Sequence, residues 1–275
     1  MVASGLVLIA AIYFLGPTVS SEKKEPVIPA KKIEKFDIQQ FISEQSAKSV
    51  LGFSIDSIKN LVGTTNDPVQ KSALLQQMAN LWKDSLQQFE IYAYYFGEAA
   101  KLDNSEKNLT FAAQLFLGLL RTEHDEKKLN WECEQGIELF EKALSIHPDN
   151  EDTKIGLASC YIYGKGRNGD PQETMKGIQG LLEVVRKDST NMKAQMVLGV
   201  GGYVSGQYDK AIARLKKVAA AQPDNIEAIA FLADSYAAKG DKFEAIACYN
   251  QLKSMVKDPE YIKEIDIRIA EINKR

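Results

Sequence analysis

The sequence predicts an all-α protein built as an α-α superhelix, a solenoid of about five helical hairpins closed by capping helices. Three observations carry this. Beyond the first few dozen residues the chain shows few β-signals and long stretches with apolar residues three and four apart, the spacing that puts them on one face of a helix. The segment "STNMKAQMVLGVGGYVSGQYDKAIARLKKVAAAQPDN" and the one after it, "QPDNIEAIAFLADSYAAKGDKFEAIACYNQL", repeat with a period of 34 residues. Glycine recurs at the period, at Gly206 and Gly240, where a helix must stop and the chain must turn.

The first 19 residues stand apart. "MVASGLVLIAAIYFLG" is uncharged and apolar throughout, and at 1.5 Å per residue it reaches about 24 Å against a hydrocarbon core of about 30 Å. Pro17, Thr18 and Val19 nearly close the gap. No basic stretch precedes the run and "GPTVSS" offers no good small-x-small cleavage site, so residues 1–19 are expected to be an uncleaved transmembrane anchor. From Pro17 onward three prolines and mixed charge break any periodicity, and residues 20–35 read as a flexible tether. Lys23, Lys24, Lys31, Lys32 and Lys35 favour a cytoplasmic soluble domain by the positive-inside rule, and three unpaired cysteines agree. A lysine-rich start upstream of Met1 would reverse this and leave the domain in the periplasm.

Residues 36–66 are expected to cap the array, and residues 67–275 to form the array with a C-terminal capping helix. The region Asp67 to Asn104 supplies one hairpin, with Trp82 as the aromatic of its first helix and "EIYAYYFGEAAKLDN" as its second. Lys107 to Asn150 supplies another, with a long internal loop around "RTEHDEKKLNWE" and "ELFEKALSIHPDN" as its second helix. "IGLASCYIYG" opens the next. In the strict repeats Asn191 pairs with Asn225, Leu198 with Leu232, Gly206 with Gly240 and Ala211 with Ala245. Gly199 and Ala233 let paired helices approach; Gly206 and Gly240 sit where a positive φ is favoured. Leu215 and Tyr249 fill the space beside Ala211 and Ala245, and Pro223 closes a second helix. Tyr261 to Lys274 is the terminal cap, with Ile262, Ile265, Ile269 and Ile272 on its buried side.

A 34-residue period with these positions resembles the tetratricopeptide repeat, in which each unit is a pair of helices. The unit from Thr153 to Asn191 resembles a Sel1-like repeat: Tyr161, Gly164, Gly166 and Asp170 reproduce its Y-x-x-G-x-G-x-x-x-D turn, with Arg167 where an apolar residue is usual. The same stretch contains a literal G-x-G-x-x-G at Gly164, Gly166 and Gly169. No strand precedes it and no Gly-Lys-Ser/Thr closes it, so it is expected to be an enlarged elbow between helices and no phosphate loop.

The resemblance implies protein binding along a concave face lined by first helices. Carried over by position, that face comprises Asp152, Ile155, Ser159, Ile162 and Tyr163; Lys193, Met196, Val200, Tyr203 and Val204; and Glu227, Ala230, Asp234, Ala237 and Ala238. Only Lys193 remains of the Lys, Asn and Arg set with which some such repeats grip a terminal carboxylate, so an apolar or helical peptide is the expected ligand. Part of the stripe could instead be covered by the 36–62 region. Lys165, Arg167 and Asn168 are expected to form an exposed basic tip that contacts a partner.

Other chemistries find little support. The net charge of -3, from 34 basic and 37 acidic residues spread along the chain, gives no basic face for nucleic acid. Cys133, Cys160 and Cys248 are far apart and read as reduced thiols packed as small apolar residues. His124 and His147 are the two histidines. "EHDE", Glu123 to Glu126, reads as a solvated loop, and no nucleophile constellation can be built from spacing. The expectation is a non-enzymatic, membrane-tethered adaptor without metal or cofactor, and its rivals are a chaperone-like accessory subunit of an envelope or secretion complex and an enzyme with an unrecognised site.

Overall fold

The computed structural model describes residues 35–274; the expected anchor and all but the last residue of the tether lie outside them. Among the described residues the regular elements are helices: α1 (Ile38–Ala47), α2 (Gly52–Thr64), α3 (Pro68–Asp84), α4 (Phe89–Asp103), α5 (Glu106–Thr122), α6 (Glu126–Ile146), α7 (Glu151–Ser159) continued by a π-helical turn (Cys160–Lys165), α8 (Pro171–Lys187), α9 (Met192–Val204), α10 (Tyr208–Ala221), α11 (Ile226–Lys239), α12 (Lys242–Met255) and α13 (Pro259–Lys274). Packed pairs α3/α4, α5/α6, α7/α8, α9/α10 and α11/α12 form the array, each also contacting the next. None of these helices is long and apolar enough to cross a membrane.

The repeated asparagines start first helices. Asn191 and Asn225 sit at N-caps, and their side chains accept from the N–H of Ala194 and Ala228 at 3.0 and 2.9 Å. Asn150 does the same for Thr153 at 3.0 Å, which extends the signature one unit upstream. Gly206 and Gly240 have φ of 72° and 93°, as the turn positions require.

The small residues sit where helices come closest. A Cβ on Gly199 would fall 2.6 Å from Leu215 Cγ, and Ala211, Ala245 and Ala233 are fully buried. Phenylalanine at Ala211 or Ala245 therefore overpacks the pair and lowers stability by about 1–3 kcal/mol; urea unfolding of each variant checks this.

The α5/α6 pair departs from the expected long loop. Only Glu123, His124 and Asp125 separate the helices, because Asp125 caps α6 by accepting from the N–H of Lys127 and Lys128, both at 2.9 Å. "KKLNWE" is thus the first turns of α6.

The elbow in the α7/α8 pair is also corrected. The first helix runs on through Gly164 to Lys165 as a π-turn, so these glycines do not reverse the chain. A Cβ at Gly164 would lie 2.3 Å from Cys133 Sγ, and one at Gly166 would lie 2.5 Å from the Ile162 carbonyl oxygen. They are glycines for close approach to α6 and within the widened turn. Gly169, with φ of 77°, makes the reversal. Asp170 then caps α8 by accepting from Gln172 and Glu173 N–H at 3.1 Å, with Pro171 at the first helical position as expected.

Both ends are closed by apolar contact, as an open solenoid end would expose its core. Ile42 of α1 and Ile55 and Ile58 of α2 join Leu75, Met78 and Trp82 of α3 in one cluster. At the other end Ile265 and Ile272 pack with Ile229, Ala233, Tyr249 and Leu252, while Ile269 is half-buried beside them.

Candidate functional site

Four consecutive pairs contribute to one concavity. Leu117 and Arg121 come from α5, Ile155 and Ser159 from α7, and Tyr163 from the π-turn. Met192, Lys193, Met196 and Val197 of α9 continue the lining to Gln222 at the end of α10 and to Asn225 and Glu227 at the start of α11, around a cavity of 240 Å³. Six residues assigned to the concave face from sequence meet there: Ile155, Ser159, Tyr163, Lys193, Met196 and Glu227. The α5 contribution was missed, because the repeat register before residue 150 is not readable from the motif.

The remaining positions divide. Asp152 is exposed and pairs with Lys193 across α7 and α9 at 2.9 Å. Ile162 and Val200 are 0% and 1% exposed, so these two are core residues and offer no surface to a ligand; Ile162 fills the space left by Gly177 and Gly201. Val204 and Ala230 are half-buried. Tyr203, Asp234, Ala237 and Ala238 line a second cleft of 480 Å³ against α13. There Asp234 is already engaged, accepting from the Tyr249 hydroxyl and from Arg268 at 2.7 Å.

Polar groups cross the first cavity. The Arg121 guanidinium is paired with one Glu227 oxygen, and the Tyr163 hydroxyl donates to the other at 3.0 Å. Arg121 also lies over the Tyr163 ring at 5.3 Å, a cation–π contact. Burial, reinforced by the Glu227 carboxylate, pushes the Tyr163 phenol far above its ordinary pKa, so it is a donor at every physiological pH.

The 36–62 region packs on α4 and α6, and the contacts it makes there are to residues outside the predicted stripe. The Phe36 and Trp131 rings pack with centres 5.1 Å apart and planes tilted by 53°, Lys128 lies 4.8 Å from the Phe41 ring centre, and Gln39 donates to the Tyr94 hydroxyl at 2.8 Å.

The elbow's basic residues are engaged within the chain. Arg167 is exposed, yet its two terminal nitrogens donate to the carbonyls of Leu120 at 3.0 Å and Glu123 at 2.9 Å, satisfying the C-terminus of α5. Lys165 is half-buried and donates to Asn130 at 2.8 Å and Glu134 at 3.1 Å. The Asn168 side-chain nitrogen is buried without a partner. This loop thus fastens the α7/α8 pair to α5 and α6.

The "EHDE" segment serves the α5/α6 turn. One Glu123 oxygen accepts from the N–H of His124 and of Asp125, both at 2.7 Å. Among the described residues no cluster of His, Cys, Asp and Glu could hold a metal ion. Cys133 and Cys160 are buried free thiols, and burial pushes Cys133 up to about 11, which keeps it an unreactive thiol.

Residues 205–263 match the tetratricopeptide-repeat family. A putative cytochrome c-type biogenesis protein, CcmH, of Haemophilus influenzae is 24% identical over 202 residues, which cover 66% of this chain and 42% of that protein. The chain therefore spans less than half the length of this relative. Among solved structures, a thermophilic tetratricopeptide-repeat protein of Thermus thermophilus superposes with a TM-score of 0.54 at 17% identity, covering 74% of this chain and all of that one. PilW, a type IV pilus biogenesis factor, gives 0.50 at 23% identity over 74% of this chain and 90% of its own. These likenesses establish the fold of tetratricopeptide repeats.

Proposed function

We propose that this protein is a membrane-tethered, non-enzymatic adaptor that binds partner proteins through the concave cavity between α5 and α11. The observation that carries the reading is the convergence there of side chains from four consecutive pairs, mostly apolar and rimmed by Arg121, Lys193 and Glu227. That is the make-up of a peptide groove, in which apolar pockets supply affinity and a few charges set register. Residues 1–19 serve as the anchor, the lysines that follow them favour a cytoplasmic array, and the α7/α8 pair is a Sel1-like unit whose loop presents to a partner only the exposed face of Arg167, with Lys165 and Asn168 turned to the chain itself.

The name of the Haemophilus relative favours a second reading. On that resemblance the chain is a chaperone-like accessory subunit of an envelope or secretion complex, using the same cavity on clients. The two readings differ in what the cavity holds: one stable partner, or a succession of unfolded chains.

One experiment addresses anchor and cavity together. Deleting residues 1–19 moves the protein from the membrane to the soluble fraction, and persistent membrane association refutes the single anchor. Affinity purification of the full chain from detergent-solubilised membranes recovers stoichiometric partners for an adaptor and a broad set of clients for an accessory chaperone. Met192→Glu, which places a charge among the apolar lining at a partly buried position, removes either set; recovery unchanged by Met192→Glu removes the cavity from the binding surface.

A further inference from the structure

Arg121 at the end of α5 and Tyr163 in the π-turn aim two hydrogen-bond donors at a single carboxylate, and that carboxylate belongs to Glu227, 106 residues beyond Arg121. The donor set is a built carboxylate site. Tyr163 is 7% exposed, its ring carries the guanidinium, and Lys193 lies in the same cavity beside the apolar side chains of Ile155 and Met196. We propose that this is the subsite for an acidic side chain flanked by an aliphatic one in a partner peptide, and that Glu227 is the chain's own occupant, which the ligand displaces. The inference rests on the groove reading and names its ligand chemistry.

The choice of an acidic ligand follows from what each exchange leaves behind. If a ligand carboxylate replaces Glu227, the buried phenol and the guanidinium keep an acceptor, and Glu227, already partly solvated, swings into water. A ligand cation would have to draw Glu227 away from two donors and would leave those donors unpartnered, which is costly for a buried hydroxyl. A neutral peptide offers the guanidinium only an uncharged amide acceptor, so it competes with Glu227 less well. Exchange is feasible because the Arg121 and Glu227 side chains are 43% and 31% exposed, and ion pairs of that exposure hold weakly in water. A side-chain carboxylate, and not a chain terminus, is the ligand group because the resident occupant is itself a glutamate presented from the first turn of a helix.

The test uses the full chain in detergent micelles and an array of synthetic dodecapeptides, amidated at the C-terminus, each in Leu-Glu, Leu-Gln and Leu-Lys versions. Fluorescence anisotropy is expected to show the Glu versions binding about tenfold or more tighter than the Gln versions. Glu227→Gln protein is expected to bind the Glu versions about tenfold tighter than the parent, since apparent affinity scales with the fraction of sites not closed on themselves. Arg121→Gln is expected to lose the preference for Glu while melting like the parent. Equal binding of Glu and Gln peptides, or an affinity unmoved by Glu227→Gln, overturns the proposal. Glu and Gln peptides that bind equally and are both abolished by Met192→Glu leave the groove reading standing while the subsite fails. If no peptide binds the parent or the Glu227→Gln protein, both fail.

Discussion

Replacing Phe140 by alanine lowers the stability of the array by about 3–5 kcal/mol, the range for deleting a large, fully packed aromatic. Phe140, on α6, is 0% exposed, and its ring lies against the backbone of Gly156 on α7. A Cβ on Gly156 would fall 2.3 Å from Phe140 Cζ, so ring and glycine form one contact joining successive pairs. Gly156→Ala is consequently destabilising although alanine favours helix, and because both substitutions act on one contact, their costs are not additive. In Phe140→Ala/Gly156→Ala the added methyl enters the vacated ring space, and the double variant is more stable than the sum of the single costs. Solenoid stability is carried by nearest-neighbour interfaces, so Phe140→Ala also splits urea unfolding into two transitions. A single unchanged transition, or strict additivity in the cycle, contradicts this packing.

Glu132→Gln stabilises the protein at pH 8 and hardly changes it at pH 4. Glu132, on α6, is 1% exposed, and one of its carboxyl oxygens has no hydrogen-bond partner. Burial, with Glu123 and Glu90 adding to it, pushes the carboxyl up from 4.5 to about 8. Lys128 offsets this only in part, being bonded to Glu90 at 2.8 Å. The folded chain therefore keeps a proton that the unfolded chain releases above pH 4.5. Stability falls as pH rises from 4.5 to about 8 and is flat in this respect beyond. At about 1.4 kcal/mol per pH unit the ceiling is about 5 kcal/mol, and relaxation around the ionised group reduces the effect at pH 8 to on the order of 3 kcal/mol. Urea unfolding of parent and variant at pH 4, 6 and 8 measures it; a difference independent of pH contradicts the assignment.

Glu132 also shows where a sequence stops being legible. A glutamate in "NWECEQ" reads as a solvated helix position, and only the packing around α6 makes it a buried acid. Arg167 is similar: its place in a glycine-rich loop says exposed and basic, which is true of its position, while its partners are carbonyls of a helix end 44 to 47 residues earlier in the chain. The pairing of Arg121 with Glu227 depends on how four pairs wind about one another, and no periodicity encodes it.

What the sequence determined by itself was the local and repeating part: the helices from apolar spacing, the recurrence of Asn191 at Asn225, the turns at Gly206 and Gly240, and the close approach at Gly199. These follow from interactions among residues within one 34-residue unit and recur with it. Tertiary structure alone decided which stripe residues are surface and which, like Ile162 and Val200, are core. It alone made Gly164 and Gly166 contact glycines and brought Arg121, Tyr163 and Glu227 together. The physical reason is that these outcomes are set by small rotations between successive pairs, accumulated over the array, and a π-turn that adds one residue to a helix changes them without changing any residue of the repeat.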